Sequence, residues 1–332
     1  MPELRKDPIV DRWVIISTER GKRPFDFPTT KLMTQKGFCP FCYESESKSP
    51  PEILAFRPSG SAPNSPGWEL RVVPNKYPAL KIEGDIDRVG DGMFDKMNGI
   101  GAHEVIIETP NHGMALEDLT PKNIENCFWA FKERITDLKK DARLRYILIF
   151  KNHGEAAGAT LEHTHCQLIA LPIVPELVTQ EITAARRHYE YKERCIFCDL
   201  IAQERGAKSR IVMENDYFIA LCPFAPRFPF ETWILPKHHS SKFESNGTSI
   251  FPVLAQTLKA VLLKMKSALN APPYNFVLHS SPVKEDCENY YHWHIEIMPK
   301  LTKMAGFEQG TGFYINTTSP EDAAETLRNT KV

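Results

Sequence analysis

Twice in this chain a C-x-x-C pair is followed at long range by a single histidine and then by an H-x-H, and that recurrence limits the possible folds more than any other feature. In the first half, Cys39 and Cys42 precede a strand pattern at Glu104–Glu108, then His112, a helix pattern, a strand pattern at Tyr146–Phe150, and His163-Thr164-His165 leading into Cys166–Leu171. In the second half, Cys195 and Cys198 precede Thr232–Leu235, His239, a helix pattern, Asn275–Leu278, and His292-Trp293-His294 leading into Ile295–Met298. His112 and His163 are 51 positions apart, and His239 and His292 are 53 apart. The same elements in the same order at nearly the same interval mark a duplicated unit. The expected fold class is α+β, with two tandem repeats (residues 1–180 and 181–332), each an antiparallel sheet with a packed helix.

The helix patterns agree with this division. Thr120-Pro121 reads as an N-cap followed by proline at the first helical position. Ile124, Phe128, Phe131, Ile135 and Leu138 then recur at steps of three and four, which gives one apolar face. A second helix is expected over Phe251–Leu269, with Leu254, Leu258, Val261, Leu262 and Met265 on its buried stripe. The polar stretch Pro172–Arg194 reads as the connection between repeats, itself compatible with helix.

The eight cysteines have to be explained as thiols or as disulfides. Four of them form the two C-x-x-C pairs in a long chain whose start, MPELRKDPIV, has no apolar signal core. That usage points to metal in a reducing compartment, and the expected location is cytoplasmic. Two sulfurs two residues apart can clamp one ion, and two imidazoles complete a closed tetrahedral shell of the kind zinc takes in structural sites. The first set is Cys39, Cys42, His112 and His163. The second is Cys195, Cys198, His239 and His292, with His238 and His279 as alternative donors. Lys+Arg total 41 against 42 Asp+Glu, and no basic block stands out. Paired C-x-x-C sites would also suit a zinc-dependent nucleic-acid-binding module, but this charge balance argues against nucleic acid and against an anionic membrane surface as partners.

The chemistry is concentrated in Phe150-Lys151-Asn152-His153-Gly154, followed by Gly158-Ala159-Thr160-Leu161-Glu162-His163-Thr164-His165-Cys166-Gln167. Glycine and alanine let a phosphate approach the backbone closely. Imidazole is a competent nucleophile toward phosphorus near neutral pH. On a strand, His163 and His165 point to the same face, so metal at the first would fix the position of the second. His165 is therefore the expected nucleophile, with Gln167 trailing it by two residues.

H-x-H-x-Q after F-x-N-x-G…G-A-[ST] resembles the active-site motif of the galactose-1-phosphate uridylyltransferases, the transferase branch of the histidine-triad superfamily. The resemblance runs from Arg5 to about Arg328 and makes the two repeats histidine-triad-like. Hydrolases of that superfamily end the motif in a third histidine. Gln167 stands there instead, and an amide cannot pass a proton to water, so transfer is favoured over hydrolysis. The resemblance implies further that Arg20 and Arg23 contact a diphosphate and that Asn75 contacts base or ribose. It implies that Asn152, Gly158 and Thr160 form the phosphate loop. It also implies a homodimer in which the C-terminal loop of one subunit completes the other's site. His294, followed by Glu296 rather than glutamine, is expected to be a non-catalytic remnant.

The implied activity is ping-pong transfer of a uridylyl group from UDP-glucose to a hexose 1-phosphate in galactose metabolism. The substrates are then a nucleotide sugar and a sugar 1-phosphate. Two features depart from enterobacterial-type members: the second C-x-x-C, and Gly306-Phe307-Glu308-Gln309-Gly310-Thr311-Gly312 near the C-terminus. Both look more like a plant-type relative that transfers an adenylyl group from ADP-glucose to phosphate, which is the alternative activity.

Overall fold

The computed structural model describes residues 2–10, 12–18, 38–58 and 60–332. Fifteen strands occur among them. They are β1 (Glu3–Lys6), β2 (Trp13–Ile16), β3 (Leu54–Phe56), β4 (Leu70–Pro74), β5 (Val89–Asp91), β6 (Phe94–Lys96), β7 (Ala102–Ile107) and β8 (Tyr146–His153). They continue with β9 (His165–Leu171), β10 (Ile211–Glu214), β11 (Phe218–Leu221), β12 (Thr232–Pro236), β13 (Tyr274–His279), β14 (His294–Pro299) and β15 (Tyr314–Asn316). The α-helices are α1 (Pro121–Leu138), α2 (Glu176–Lys192), α3 (Ile196–Ala207), α4 (Phe251–Ala268), α5 (Gly306–Thr311) and α6 (Pro320–Asn329).

Ten strands form one antiparallel sheet in the order β10-β11-β12-β14-β13-β8-β9-β7-β4-β3. From its centre outward the first half runs β8-β9-β7-β4-β3 and the second β13-β14-β12-β11-β10, the same topology on either side of a seam. At that seam β8 and β13 pair antiparallel, with Asn152 opposite Asn275 and Phe150 opposite Val277. The sequence led us to expect one sheet per repeat, and the structure joins them edge to edge. Joining satisfies the backbone groups of two edge strands that would otherwise face solvent.

One face of the sheet carries α1 and α4. Thr120 caps α1 by accepting from the Asn123 amide at 3.2 Å, with Pro121 in the first turn. The helix buries Ile124, Phe128, Phe131, Ile135 and Leu138. In α4, Leu254, Leu258, Val261, Leu262 and Met265 are buried, as their spacing predicted. Phe128 meets Phe243 and Phe251 with ring centroids 6.1 and 6.2 Å apart, which joins the helices of the two halves in one core. Each such side chain contributes about 1.5–3 kcal/mol by leaving water.

The opposite face is that of His165 and Gln167. In the first half Trp68, Val73, Val105 and Ile107 form a small apolar cluster there, with Phe41 of the first C-x-x-C against it. The connection between repeats is helical, as α2, and Cys195 is the N-cap of α3. Away from the large sheet, β15 pairs parallel with β2, and β2 pairs with β1.

Candidate active site

His165 opens β9 opposite Ile107 of β7, and Gln167 sits two residues on, opposite Val105 and Phe150. Strand alternation places both on the face away from α1. The His165 ring is 7 % exposed, with Phe41 at its edge, centroids 5.4 Å apart. Its Nδ1 lies 2.7 Å from the His163 carbonyl. A carbonyl only accepts, so Nδ1 carries the proton and Nε2 presents a lone pair. Burial holds the imidazole below its ordinary range, and the Lys151 charge adds to this; the bond to His163 and the Glu108 charge oppose it. An unprotonated, oriented Nε2 is what attack on phosphorus requires.

Beneath the strand, on the helix face, lies a fully buried ion pair. Lys151 Nζ donates to Glu108 Oε2 at 2.8 Å, to Thr164 Oγ1 at 2.7 Å and to the His165 carbonyl at 3.1 Å. Glu108 also accepts from Thr164 and Cys166. One carboxylate and one ammonium thus hold three successive residues, Thr164, His165 and Cys166. Despite its burial, Glu108 lies below the usual carboxylate range because Lys151 faces it and three side chains donate to it. Nothing in our sequence reading drew attention to this pair. The available signal was a charge at the end of each of two apolar runs, Ile106-Ile107-Glu108 and Ile149-Phe150-Lys151.

Of the residues expected to form a phosphate loop, Asn152 lies beside His165 and Gly158 lies next to Asn152. Carrying the β8–β9 register two residues past Phe150 places Asn152 next to His165. Gly158 has φ 88° and closes a short 3-10 turn, with the Asn152 amide nitrogen 3.5 Å from its carbonyl. Gly154, at φ 80°, has no room for a side chain, because a Cβ there would lie 2.9 Å from Pro273. Thr160 is exposed at the rim of the loop. Asn75 follows β4, and through His103 it reaches Gln167: His103 Nε2 lies 3.1 Å from Asn75 Nδ2 and 2.9 Å from Gln167 Oε1. His103 is a second residue that sequence reasoning missed. Arg20 and Arg23 lie outside the described residues.

Both cysteine–histidine sets converge. In each, the four donor atoms lie within 4.8 Å of one another. Cys42 Sγ is 3.3 Å from His112 Nδ1 and 3.7 Å from His163 Nδ1, and Cys39 Sγ is 3.7 Å from His163 Nδ1. Cys198 Sγ is 3.4 Å from His239 Nδ1 and 3.8 Å from His292 Nδ1. A tetrahedral zinc with ordinary Zn–S and Zn–N bonds would separate sulfur from nitrogen by about 3.6 Å. The far nitrogens are engaged too. Nε2 of His163, His239 and His292 face the carbonyls of Thr109, Glu288 and Pro236 at 2.7, 2.6 and 2.8 Å. Those bonds place the ring protons on Nε2 and aim the Nδ1 lone pairs at the sulfurs. His239, not His238, is the donor the fold brings to the second set. His279 falls in a third grouping, with Glu181 and His294.

A duplicated antiparallel sheet, with a buried imidazole on its open face and a glutamine two residues on, is the arrangement of a two-repeat histidine-triad-like transferase. Residues 1–175 match the model of the galactose-1-phosphate uridyl transferase N-terminal domain, and residues 111–330 match a domain of unknown function (DUF4921). The ADP-glucose phosphorylase of Arabidopsis thaliana is 39 % identical over 98 % of this chain and 92 % of its own length. The galactose-1-phosphate uridylyltransferase of Thermotoga maritima is 33 % identical over 100 % and 99 %. Among solved structures, that of an Arabidopsis thaliana ADP-glucose phosphorylase with bound ADP-glucose superposes with a TM-score of 0.86 at 37 % identity over the whole of both chains. A uridylyltransferase structure matches with a TM-score of 0.77 at 28 % identity, over 99 % of this chain and 97 % of that one. The chain belongs to the galactose-1-phosphate uridyl transferase family. It is a nucleotidyltransferase of that family, and no described helix is long and apolar enough to cross a membrane.

Proposed function

We propose that this chain moves a nucleotidyl group from a nucleotide sugar to a phosphate acceptor through a covalent adduct on His165. Nε2 attacks the α-phosphorus, a P–N bond forms, and the bond to the bridging oxygen breaks with its electron pair leaving on the sugar 1-phosphate. An acceptor phosphate oxygen then attacks the same phosphorus, and the pair of the P–N bond returns to Nε2. The single observation that carries this reading is the buried His165 whose Nδ1–H is bound by the His163 carbonyl, leaving Nε2 without a hydrogen-bond partner among the described residues on the open face. Gln167, Asn152, Gly158 and Thr160 surround the transferred phosphoryl group, Asn75 faces the nucleoside, and Arg20 and Arg23 meet the diphosphate.

Two donor–acceptor pairs fit. ADP-glucose with inorganic phosphate is supported by the 39 % identical plant phosphorylase and by the second C-x-x-C set. UDP-glucose with galactose 1-phosphate is supported by the family model and by the 33 % identical uridylyltransferase. Incubation with each nucleotide sugar followed by intact-mass measurement separates them, because an adenylyl and a uridylyl adduct differ in mass. No adduct with either would overturn the proposal.

The same reading makes both Cys2His2 sets structural zinc sites, the first tying the Cys39–Cys42 loop to the strand that carries His165, and makes the protein a homodimer. Metal analysis should find about two zinc ions per chain, and Cys195→Ser should remove one of them while lowering the melting temperature more than the transfer rate. A folded protein without metal would contradict it. Light scattering in solution reads the dimer.

A further inference from the structure

Three side-chain amides surround the open face beside His165, and hydrogen-bonding partners determine which way each one points. Ala157 O, a pure acceptor, lies 2.9 Å from Asn275 Nδ2, so Asn275 contacts it through its NH2. The same NH2 meets Asn152 at 2.9 Å, and the Asn152 atom there must therefore be its oxygen. The Ala79 amide, a pure donor, lies 3.1 Å from His103 Nδ1, so the ring proton sits on Nε2. That proton is donated to Gln167 Oε1 at 2.9 Å. Asn75 Oδ1 accepts from the Tyr77 amide at 2.9 Å, and its Nδ2 faces His103 Nε2 donor against donor, so its hydrogens need another acceptor. In each of the three amides the oxygen is tied down.

We propose that His103 and Asn275 are positioning residues: they clamp the oxygens of Gln167 and Asn152 so that both side chains present only NH2 donors to a phosphoryl group on His165. The inference rests on the functional reading above and adds residues to that site. Free amides would flip, and half of their orientations would set an oxygen against an anionic oxygen. Clamped amides bring the donors already aimed, as transition-state stabilisation by fixed dipoles requires. Asn275 lies in the second repeat, 123 residues from Asn152, and reaches it across the β8–β13 seam. The second half of the chain thus takes part in the active site of the first through a neutral amide.

The test is a pair of double-mutant cycles, His103→Leu with Gln167→Ala and Asn275→Leu with Asn152→Ala. Each is read as the single-turnover rate of adduct formation at saturating ADP-glucose or UDP-glucose, and as calorimetric affinity for ADP and UDP. Melting temperatures accompany both. Removing one fixed donor lowers the rate of such steps about 10²–10³-fold, and a misdirected donor should lower it by about 10–100-fold. In the alanine backgrounds the same His103 and Asn275 substitutions should change the rate less than about twofold, since nothing remains to be aimed. His103→Gln, which can accept from Ala79 and donate to Gln167, should restore most of the rate that His103→Leu loses. Losses as large in the alanine backgrounds as in the parent, or His103→Gln falling as far as His103→Leu, would overturn the inference. A protein that binds nucleoside diphosphates but forms no adduct would overturn the functional reading alone, because the affinity cycles still report on the amides.

Discussion

His165 and His294 hold matching registers in the two halves of the sheet, each with the phenylalanine of a C-x-x-C beside it, centroids 5.4 Å from Phe41 and 5.2 Å from Phe197. Their surroundings differ in where charge is buried. In the first half the ion pair Lys151–Glu108 lies under the strand, on the helix face, and the open face has uncharged amides. In the second half the registers set Leu278 and Ile295 in the places of Lys151 and Cys166, so the helix face is apolar. The charges lie on the other face instead. Glu296 takes Gln167's place and pairs with Arg227 and with His279, the latter at 3.5 Å; His279 also meets Glu181 at 3.4 Å. His279 stacks on His294 with centroids 4.6 Å apart; burial would lower its imidazole, but the Glu181 and Glu296 carboxylates push it up to about 10. His294 is lowered to about 4, first by burial and then by the His279 charge. A cavity of about 240 Å³ remains there, lined by Asp7, Arg12, Glu181 and Trp233 among others. Buried charges behind the strand brace His165 from the helix face, whereas in the second half a carboxylate of the charged cluster in front of the strand occupies the place that the Gln167 amide holds in the first.

The largest expected effect separates the two histidines directly. His165→Gly should abolish transfer without unfolding the chain, while His294→Gly should leave adduct formation intact and lower only thermal stability. Single-turnover assays of both variants decide it, and loss of the adduct in His294→Gly with an unchanged melting curve would break the comparison.

The ion pair gives the next effect. Lys151→Met leaves the Glu108 carboxylate buried and unpaired, and should cost about 3–5 kcal/mol in denaturant unfolding. Lys151→Met combined with Glu108→Leu, which imitates the apolar helix face of the second half, should recover most of that loss. If the double variant is as unstable as the single, the pair is not what holds Thr164 and His165.

Much of this contrast was legible in the sequence. Cys39, Cys42, His112 and His163 announce themselves by residue type and interval, as do their counterparts, and the helices declare their buried stripes. His165 and Gln167 stand in one short motif. The supporting groups could not be read in that way, because their partners are distant in sequence: Glu108 from Lys151 by 43 residues and Asn152 from Asn275 by 123. Register between strands decides such contacts, and no local periodicity encodes it. For the same reason the joining of two sheets into one could not be seen, since each repeat is complete as a sequence pattern.

A smaller change should sharpen the mechanism. Gln167→His restores the hydrolase pattern and puts a titratable ring where an amide donor stood. It should lose about 2–4 kcal/mol of transition-state stabilisation for transfer, by analogy with removal of an oxyanion-hole donor. The isolated adduct should also hydrolyse faster in water than the wild-type adduct. Equal survival and equal transfer would reduce Gln167 to a packing residue.

The most direct measurement is peptide mapping of the protein after brief incubation with ADP-glucose or UDP-glucose, quenched at alkaline pH where phosphoramidates persist. The account predicts a single nucleotidyl adduct on the peptide that contains His165 and none on the peptide that contains His294. An adduct on His294 or on any other residue, or transfer without any adduct, would contradict it.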